Sequence, residues 1–156
     1  MTNATDSPVS ERLSGSVADN RSVLLFDGDC GFCAGSVQFV LGHEPTGAWA
    51  RLAFAPLQGA FGTTIRERFP ELSGVDSMVW YDPSGPAVRV RSAAALATMD
   101  HLGGVWAVLA ALGRLVPRVV RDAAYDLIAR RRFEIAAPAC LLPTAKERAR
   151  FLPEAR

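Results

Sequence analysis

Val23-Leu24-Leu25-Phe26-Asp27-Gly28-Asp29-Cys30-Gly31-Phe32-Cys33 is the stretch on which the fold turns. Ser22 to Phe26 is apolar without alternation, the pattern of a strand covered on both faces. An acidic turn containing glycine follows, then two cysteines separated by two residues. From Cys30 the apolar residues take a helical spacing: Phe32, Val37, Phe39, Val40 and Leu41 form a stripe that Gly42 ends. Strand, turn, paired thiols and helix in this order place two sulfurs at a helix N-terminus. There, unpaired backbone N–H groups and the positive end of the helix dipole favour a thiolate.

Outward from this corner the elements alternate. Arg51 to Leu57 reads as a second strand and Gly59 to Phe69 as a short helix with Phe61, Ile65 and Phe69 on one face, closed by Pro70. Ser77 to Tyr81 predicts a third strand. Asp82-Pro83-Ser84-Gly85 has the residues a type I turn prefers, and Ala87 to Arg91 alternates Val88 and Val90 with arginines, as on a half-exposed edge strand. Ser92 is placed to cap a helix through about Met99. Val105 to Leu115 is a further apolar helical stretch containing Trp106. Pro117 suits a first helical position, opening a long helix to Phe133 with Val120, Ala124, Leu127 and Ile128 turned inward. Thr144 and Glu147 form a capping-box pattern for a short last helix ending near Leu152.

A parallel pair of strands joined by a helix, then an antiparallel hairpin and a closing helix, is the thioredoxin-like arrangement. The expectation is an α/β fold with a central mixed four-stranded sheet flanked by helices and an extra helical segment before the last long helix. Residues 1–20 are polar, with too little apolar surface to offset the entropy of ordering, and are expected to form a disordered tail ahead of one domain over 21–156.

Composition narrows the class. With 156 residues, 49% of them hydrophobic, the chain can build a core without metal or disulfide staples. A net charge of +1 speaks against a nucleic-acid partner, whose footprint is a strong basic excess. Sixteen of the seventeen basic residues are arginine, Lys146 being the exception, and no function follows from that. No secretory signal is legible in the polar N-terminus, and Leu102 to Gly113 falls short of the ~18–20 apolar residues of a membrane span. A cytoplasmic location and no membrane span are therefore expected. Three cysteines are too few for a disulfide framework, and two spaced as Cys30 and Cys33 read as catalytic or metal-binding. A zinc site needs four ligands, and the spare soft ligands Cys140, His43 and His101 are isolated from one another. No metal and no cofactor is expected.

The chemistry expected of the pair is thiol-disulfide exchange. Cys30, at the helix start, should be exposed and act as nucleophile, while Cys33, one turn further in, attacks the mixed disulfide and releases the substrate. Asp27 and Asp29 are the other candidate catalytic residues. A carboxylate beside Cys30 opposes the thiolate, and Asp29 as helix cap would compete with Cys30 for the same N–H donors. Asp27, at the strand end, is placed to exchange a proton with Cys33; the alternative is that both aspartates satisfy turn and cap amides. Cys140 reads either as a third redox sulfur or as a small buried hydrophobe. Arg130-Arg131-Arg132 reads as a solvated helix end or as an attraction for an acidic partner, and His43 and His101 as helix-end residues without chemistry.

Asp27-Gly28-Asp29-Cys30-Gly31-Phe32-Cys33 resembles the signature of the DCC-type thiol-disulfide oxidoreductase family, thioredoxin-like proteins. Ser92-Ala93-Ala94-Ala95-Leu96 after the hairpin, Tyr125 to Phe133 with Ala129 and Arg132, and Cys140 before Pro143 are similar too. The resemblance implies a thioredoxin-like fold and disulfide exchange with a protein or low-molecular-weight thiol or disulfide, recycled by an unidentified redox partner. Thioredoxins proper carry a cis-proline before the third strand. Gly74-Val75-Asp76-Ser77 holds none, so Val75 or Asp76 is expected to face the sulfurs. Two other readings use the same residues. One is a non-catalytic binding module on a thioredoxin-like scaffold. In the other, the strand with Asp27-Gly28-Asp29 resembles the first motif of haloacid-dehalogenase-type phosphatases, although Cys30-Gly31 replaces the usual Gly-Thr and the sole lysine lies at the far end.

Overall fold

The structure, a computed structural model, describes residues 21–85, 88–135 and 143–152. The expected tail, Ala87 and Cys140 lie outside the described residues. The strands are β1 (Ser22–Phe26), β2 (Leu52–Pro56), β3 (Val79–Tyr81) and β4 (Val88–Val90). The helices are α1 (Gly31–His43), α2 (Ala60–Arg68), α3 (Ser92–Leu102), α4 (Gly104–Leu115), α5 (Arg118–Ile135) and α6 (Ala145–Arg148). Short 3-10 turns at Ala48–Arg51 and Pro70–Leu72 lead into β2 and out of α2.

The sheet order is β2-β1-β3-β4. β1 runs parallel to β2, with Ser22 opposite Leu52 and Phe26 opposite Pro56, and antiparallel to β3, with Leu24 opposite Trp80. β4 pairs antiparallel with β3 and forms the outer edge. This is the mixed four-stranded sheet flanked by helices that the element order implied, with α4 as the extra segment.

Period-2 side-chain alternation along β1 sorts its residues into two cores. Leu24 and Phe26 pack with Val37, Val40, Phe54, Trp80, Ala94 and both cysteines, under α1 and α3. Val23 and Leu25 pack with Ala53, Leu57, Phe61, Ile65, Leu72 and Val79, under α2. β1 is covered on both faces, which is why its sequence shows no alternation. α2 sits tightly on the end of β2: a Cβ on Gly62 would stand 2.4 Å from the Leu57 carbonyl oxygen.

Three local expectations are corrected. Ser92 does not cap α3; it is the first helical residue, its hydroxyl donates to Asp122, and Arg91 occupies the cap position. The last helix stops at Arg148. Phe151 instead pairs with Phe54 as a parallel bridge, with Phe54 N–H donating to the Arg150 carbonyl and Leu152 N–H to the Phe54 carbonyl, both at 2.9 Å. The Thr144–Glu147 capping box that starts α6 is present.

The third correction concerns α5. Val120 and Leu127 are about half exposed and Ala124 is exposed, so they are not its inward face; Ile128, also about half exposed, does border the pocket at Cys33. Asp122, Tyr125, Asp126, Ala129 and Arg132, at three- and four-residue steps, make the side nearer the protein. The stripe of valines and leucines obeys helical period, but α5, which contacts α1 and α3, is tied to the start of α3 by the bond from Ser92 to Asp122. Among the described residues, no helix is long and apolar enough to cross a membrane.

Candidate functional site

The site is built where β1 ends and α1 begins. Cys30 is the N-cap of α1, with extended backbone, and its Sγ accepts the Cys33 backbone N–H at 3.4 Å. The cap role belongs to a sulfur, so Asp29, which is exposed, does not compete for these donors. Both cysteines are free thiols.

Cys30 was expected to be exposed; it is 0% exposed, sealed in the core beneath α1 and α3. Cys33 is 6% exposed and lines a pocket of about 210 Å³ together with Phe32, Met78, Tyr125, Ala129 and Arg132. Cys30 is not among the residues that line it. Both side chains belong to the layer shared with Phe26 and Trp80, but Cys33, three residues further along α1, also borders the pocket beneath α5.

Burial is also the largest influence on the Cys33 thiol, pushing it up from an ordinary 9.0 to about 12. The hydrogen bond and negative charge of Cys30 push the same way, while the Asp27 backbone and the Arg132 guanidinium pull it back. A proton is therefore held on Cys33 at neutral pH.

Asp27 is buried in the turn before Cys30 and both its carboxylate oxygens accept hydrogen bonds. Oδ1 accepts the Asp29 N–H at 3.1 Å and the Gln58 Nε2 at 2.8 Å, and Oδ2 accepts from Arg132 Nη2 at 3.2 Å. Gln58 turns its carbonyl oxygen to the Gly28 N–H at 3.2 Å, which ties the start of the loop after β2 to the turn after β1. The expected repulsion between carboxylate and sulfur is thus offset by a guanidinium, and the turn-satisfying role of Asp27 is realised through the Asp29 amide. Arg132 also donates through Nη1 to the Asp76 carbonyl at 2.5 Å, which fixes the loop before β3. Read from sequence as part of a basic helix end, Arg132 is in fact turned inward, with a side chain 13% exposed. Its position seven residues after Tyr125 and three after Ala129 was the available signal, since all three then share one helix face.

In place of a proline before β3, the residue of that segment that lines the pocket with Cys33 is Met78 rather than Val75 or Asp76. Val75 packs on the α2 side of the sheet. The Asp76 side chain is largely exposed and lies 4.0 Å from Arg66. Tyr125 is anchored by the Met78 backbone and the Ser77 hydroxyl, and burial pushes its own hydroxyl above the usual range.

Of the histidines, His43 stacks on Phe39 in the last turn of α1 and meets Trp106 edge-on. His101, in the last turn of α3, contacts the buried Glu44. Among the described residues, no group of three His, Cys, Asp or Glu side chains is placed to hold a metal ion. Asp27 is spoken for by Gln58, Arg132 and an amide, which is not the open carboxylate cluster a magnesium-dependent phosphatase needs.

A family model for the DCC1-like thiol-disulfide oxidoreductases matches residues 24–137, a span that holds the turn, both cysteines and Arg132. The chain belongs to that family. Two curated proteins are similar to the DCC1-like chain. The uncharacterized protein YuxK of Bacillus subtilis (strain 168) is 36% identical over 138 residues, covering 84% of this chain and 93% of the relative. A DCC family protein of Arabidopsis thaliana, named as chloroplastic, is 30% identical over 118 residues, 74% of this chain and 64% of the relative. No solved structure matches the DCC1-like chain.

Proposed function

We propose that the protein exchanges disulfides through Cys30 and Cys33, with Cys30 as nucleophile and Cys33 as resolving thiol. Family membership supports the general thiol-disulfide oxidoreductase role. The assignment of roles rests on one observation: Cys30 Sγ takes the Cys33 amide at the start of α1, whereas burial pushes the Cys33 thiol up to about 12. A helix N-terminus stabilises negative charge on the first sulfur and not on one a turn further in.

The steps balance as follows. The Cys30 thiolate attacks one sulfur of a substrate disulfide, forming a mixed disulfide and expelling the other sulfur as a thiolate that takes a proton. Cys33 then gives up its proton and attacks Cys30 Sγ. A Cys30–Cys33 disulfide forms and the substrate leaves as a second thiol. The substrate gains two electrons and two protons, the cysteine pair loses them, and an external thiol reductant restores the dithiol. Asp27, whose backbone meets the Cys33 thiol, is the candidate acceptor of the Cys33 proton, with Arg132 holding its carboxylate in place. Asp29, at the exposed rim of the turn, acts on the charge around Cys30.

A second order of attack is favoured by the pocket, which Cys33 lines and Cys30 does not. In that order Cys33 meets the substrate first and Cys30 resolves. Trapping separates the two. Incubated with a small disulfide, Cys33→Ser should retain a dithiothreitol-sensitive adduct visible by mass spectrometry, and Cys30→Ser should not. The reverse pattern would establish Cys33 as the attacking sulfur. Absence of adducts in both variants, together with no disulfide reductase activity in the wild type, would leave a non-catalytic binding module.

A further inference from the structure

The pocket at Cys33 does not end at Arg132. Ala129 and Arg132 also line an adjoining hollow of about 380 Å³ whose other walls include Asp76, Ser77, Arg91, Asp126 and Arg130. The two compartments differ in chemistry. The inner one is walled by Phe32, Met78 and Tyr125 and reaches a sulfur; the outer one is ringed by charge. Each acid at or beside it faces an arginine: Asp27 with Arg132, Asp76 with Arg66 at 4.0 Å, and Asp126 with Arg91 at 3.5 Å. Arg130 adds a fourth positive charge against these three negative ones. Arg91 also carries, alone among the described non-glycine residues, a positive φ, 54°. The residue in that strained conformation lines the outer hollow, and strain of this kind clusters at binding sites.

Size and depth set the other limit. Cys30 is fully buried and Cys33 nearly so, which keeps a disulfide on a folded protein surface away from the pair. A volume of about 210 Å³ is below the ~300–1,000 Å³ of drug-sized sites and admits a short arm only.

We propose that this cleft selects a low-molecular-weight disulfide whose sulfurs sit on a short apolar arm and whose far end carries a carboxylate or phosphate. The arm fills the space between Phe32, Met78 and Ala129, and the anionic end lies against Arg91 and Arg130. The proposal rests on the exchange chemistry above, in the order in which Cys33 meets the substrate first, and narrows its substrate.

The probes are four disulfides: lipoate (apolar arm, carboxylate end), lipoamide (same arm, neutral end), hydroxyethyl disulfide (compact and neutral) and insulin (a folded protein). Each turnover rate is divided by the rate of dithiothreitol alone with the same disulfide, which removes intrinsic reactivity. The expected order is lipoate, lipoamide, hydroxyethyl disulfide, insulin, with lipoate about tenfold over lipoamide, the range of a charge-assisted contact at a partly wet site. Arg91→Gln/Arg130→Gln should raise KM for lipoate at least fivefold and change KM for lipoamide little. Ala129→Leu, which fills the inner compartment, should raise KM for both. Insulin ahead of lipoamide, or lipoate equal to lipoamide and no better than hydroxyethyl disulfide, overturns the proposal while leaving the exchange activity standing. If no probe is turned over, the exchange reading fails instead. Thermal unfolding of Cys30→Ser/Cys33→Ser then decides the cleft: stabilisation by lipoate but not by lipoamide retains it, and equal or absent shifts refute it.

Discussion

Arg132 and Asp27 are 105 positions apart in the chain and 3.2 Å apart in space, in a pair whose side chains are both nearly buried. Removing one partner of a buried pair costs ~3–5 kcal/mol when the other charge is left bare. Here Gln58 and the Asp29 amide still serve the carboxylate, so Arg132→Leu should cost about 2–3 kcal/mol in urea unfolding, with partial recovery in Arg132→Lys. The same variant takes away a positive charge that lowers the Cys33 thiol. A merely structural role would leave that thiol's titration in place, whereas pH-dependent alkylation should show it moving further up. The Cys33 proton also makes a stability prediction. Its pKa is higher folded than unfolded, so the native state binds the extra proton between about pH 9 and 12, and stability falls as pH rises through that window. The reduced wild type should lose stability on this limb by chemical denaturation, and Cys33→Ser should flatten it.

At the scale of elements, local chemistry was legible and orientation was not. β1 and the start of α1 fall where a continuous apolar run, an acidic turn and a change to helical spacing put them. The Thr144 capping box was equally readable, because it involves side chains three residues apart. The inward face of α5 was misread for a physical reason. Hydrophobic period assumes that the apolar stripe meets the core, whereas the side of α5 nearer the protein carries Asp122, bonded to Ser92 of α3, with Tyr125 and Arg132, and Val119 is left 81% exposed. Ser92 was misread as a cap because the hydroxyl pattern is the same for a cap and for a first-turn residue bonded to a distant helix. Helix–strand contact has its own test in Gly62. Gly62→Ala would place a Cβ against the Leu57 carbonyl, which is backbone and gives way only if α2 lifts from β2. A loss of about 1–3 kcal/mol is expected in equilibrium unfolding, against the gain that alanine normally brings to a helix interior.

Across the whole molecule, a second buried charge cluster closes the structure far from the sulfurs. Glu44, after the end of α1, has a fully buried side chain that accepts from both terminal nitrogens of Arg150 and contacts His101 at the end of α3. Burial alone would push its carboxyl up, but the His101 and Arg150 bonds outweigh that and hold it below its ordinary 4.5. The cluster therefore stabilises the fold above about pH 4.5, and that stability is lost as pH falls below it. Glu44→Gln takes from Arg150 the buried carboxylate that both its terminal nitrogens bond and should cost ~3–5 kcal/mol at neutral pH while flattening the acid limb of the stability curve. Since Arg150 also donates to the Leu52 carbonyl and its own carbonyl receives the Phe54 N–H, loosening it should speed proteolysis of residues 143–152 first.

The corner of strand, turn, thiols and helix could be read from the chain alone, because propensity, period and capping act over one to four residues. So could the parallel pair and the hairpin, since strand order follows from which segments are short, apolar and joined by a helix or a turn. Which sulfur reaches the surface, which arginine answers Asp27, and that Met78 lines the pocket with Cys33 depend on how α5 crosses the end of the sheet. That crossing is set by packing among residues a hundred positions apart, and burial, charge pairing and thiol protonation all follow from it.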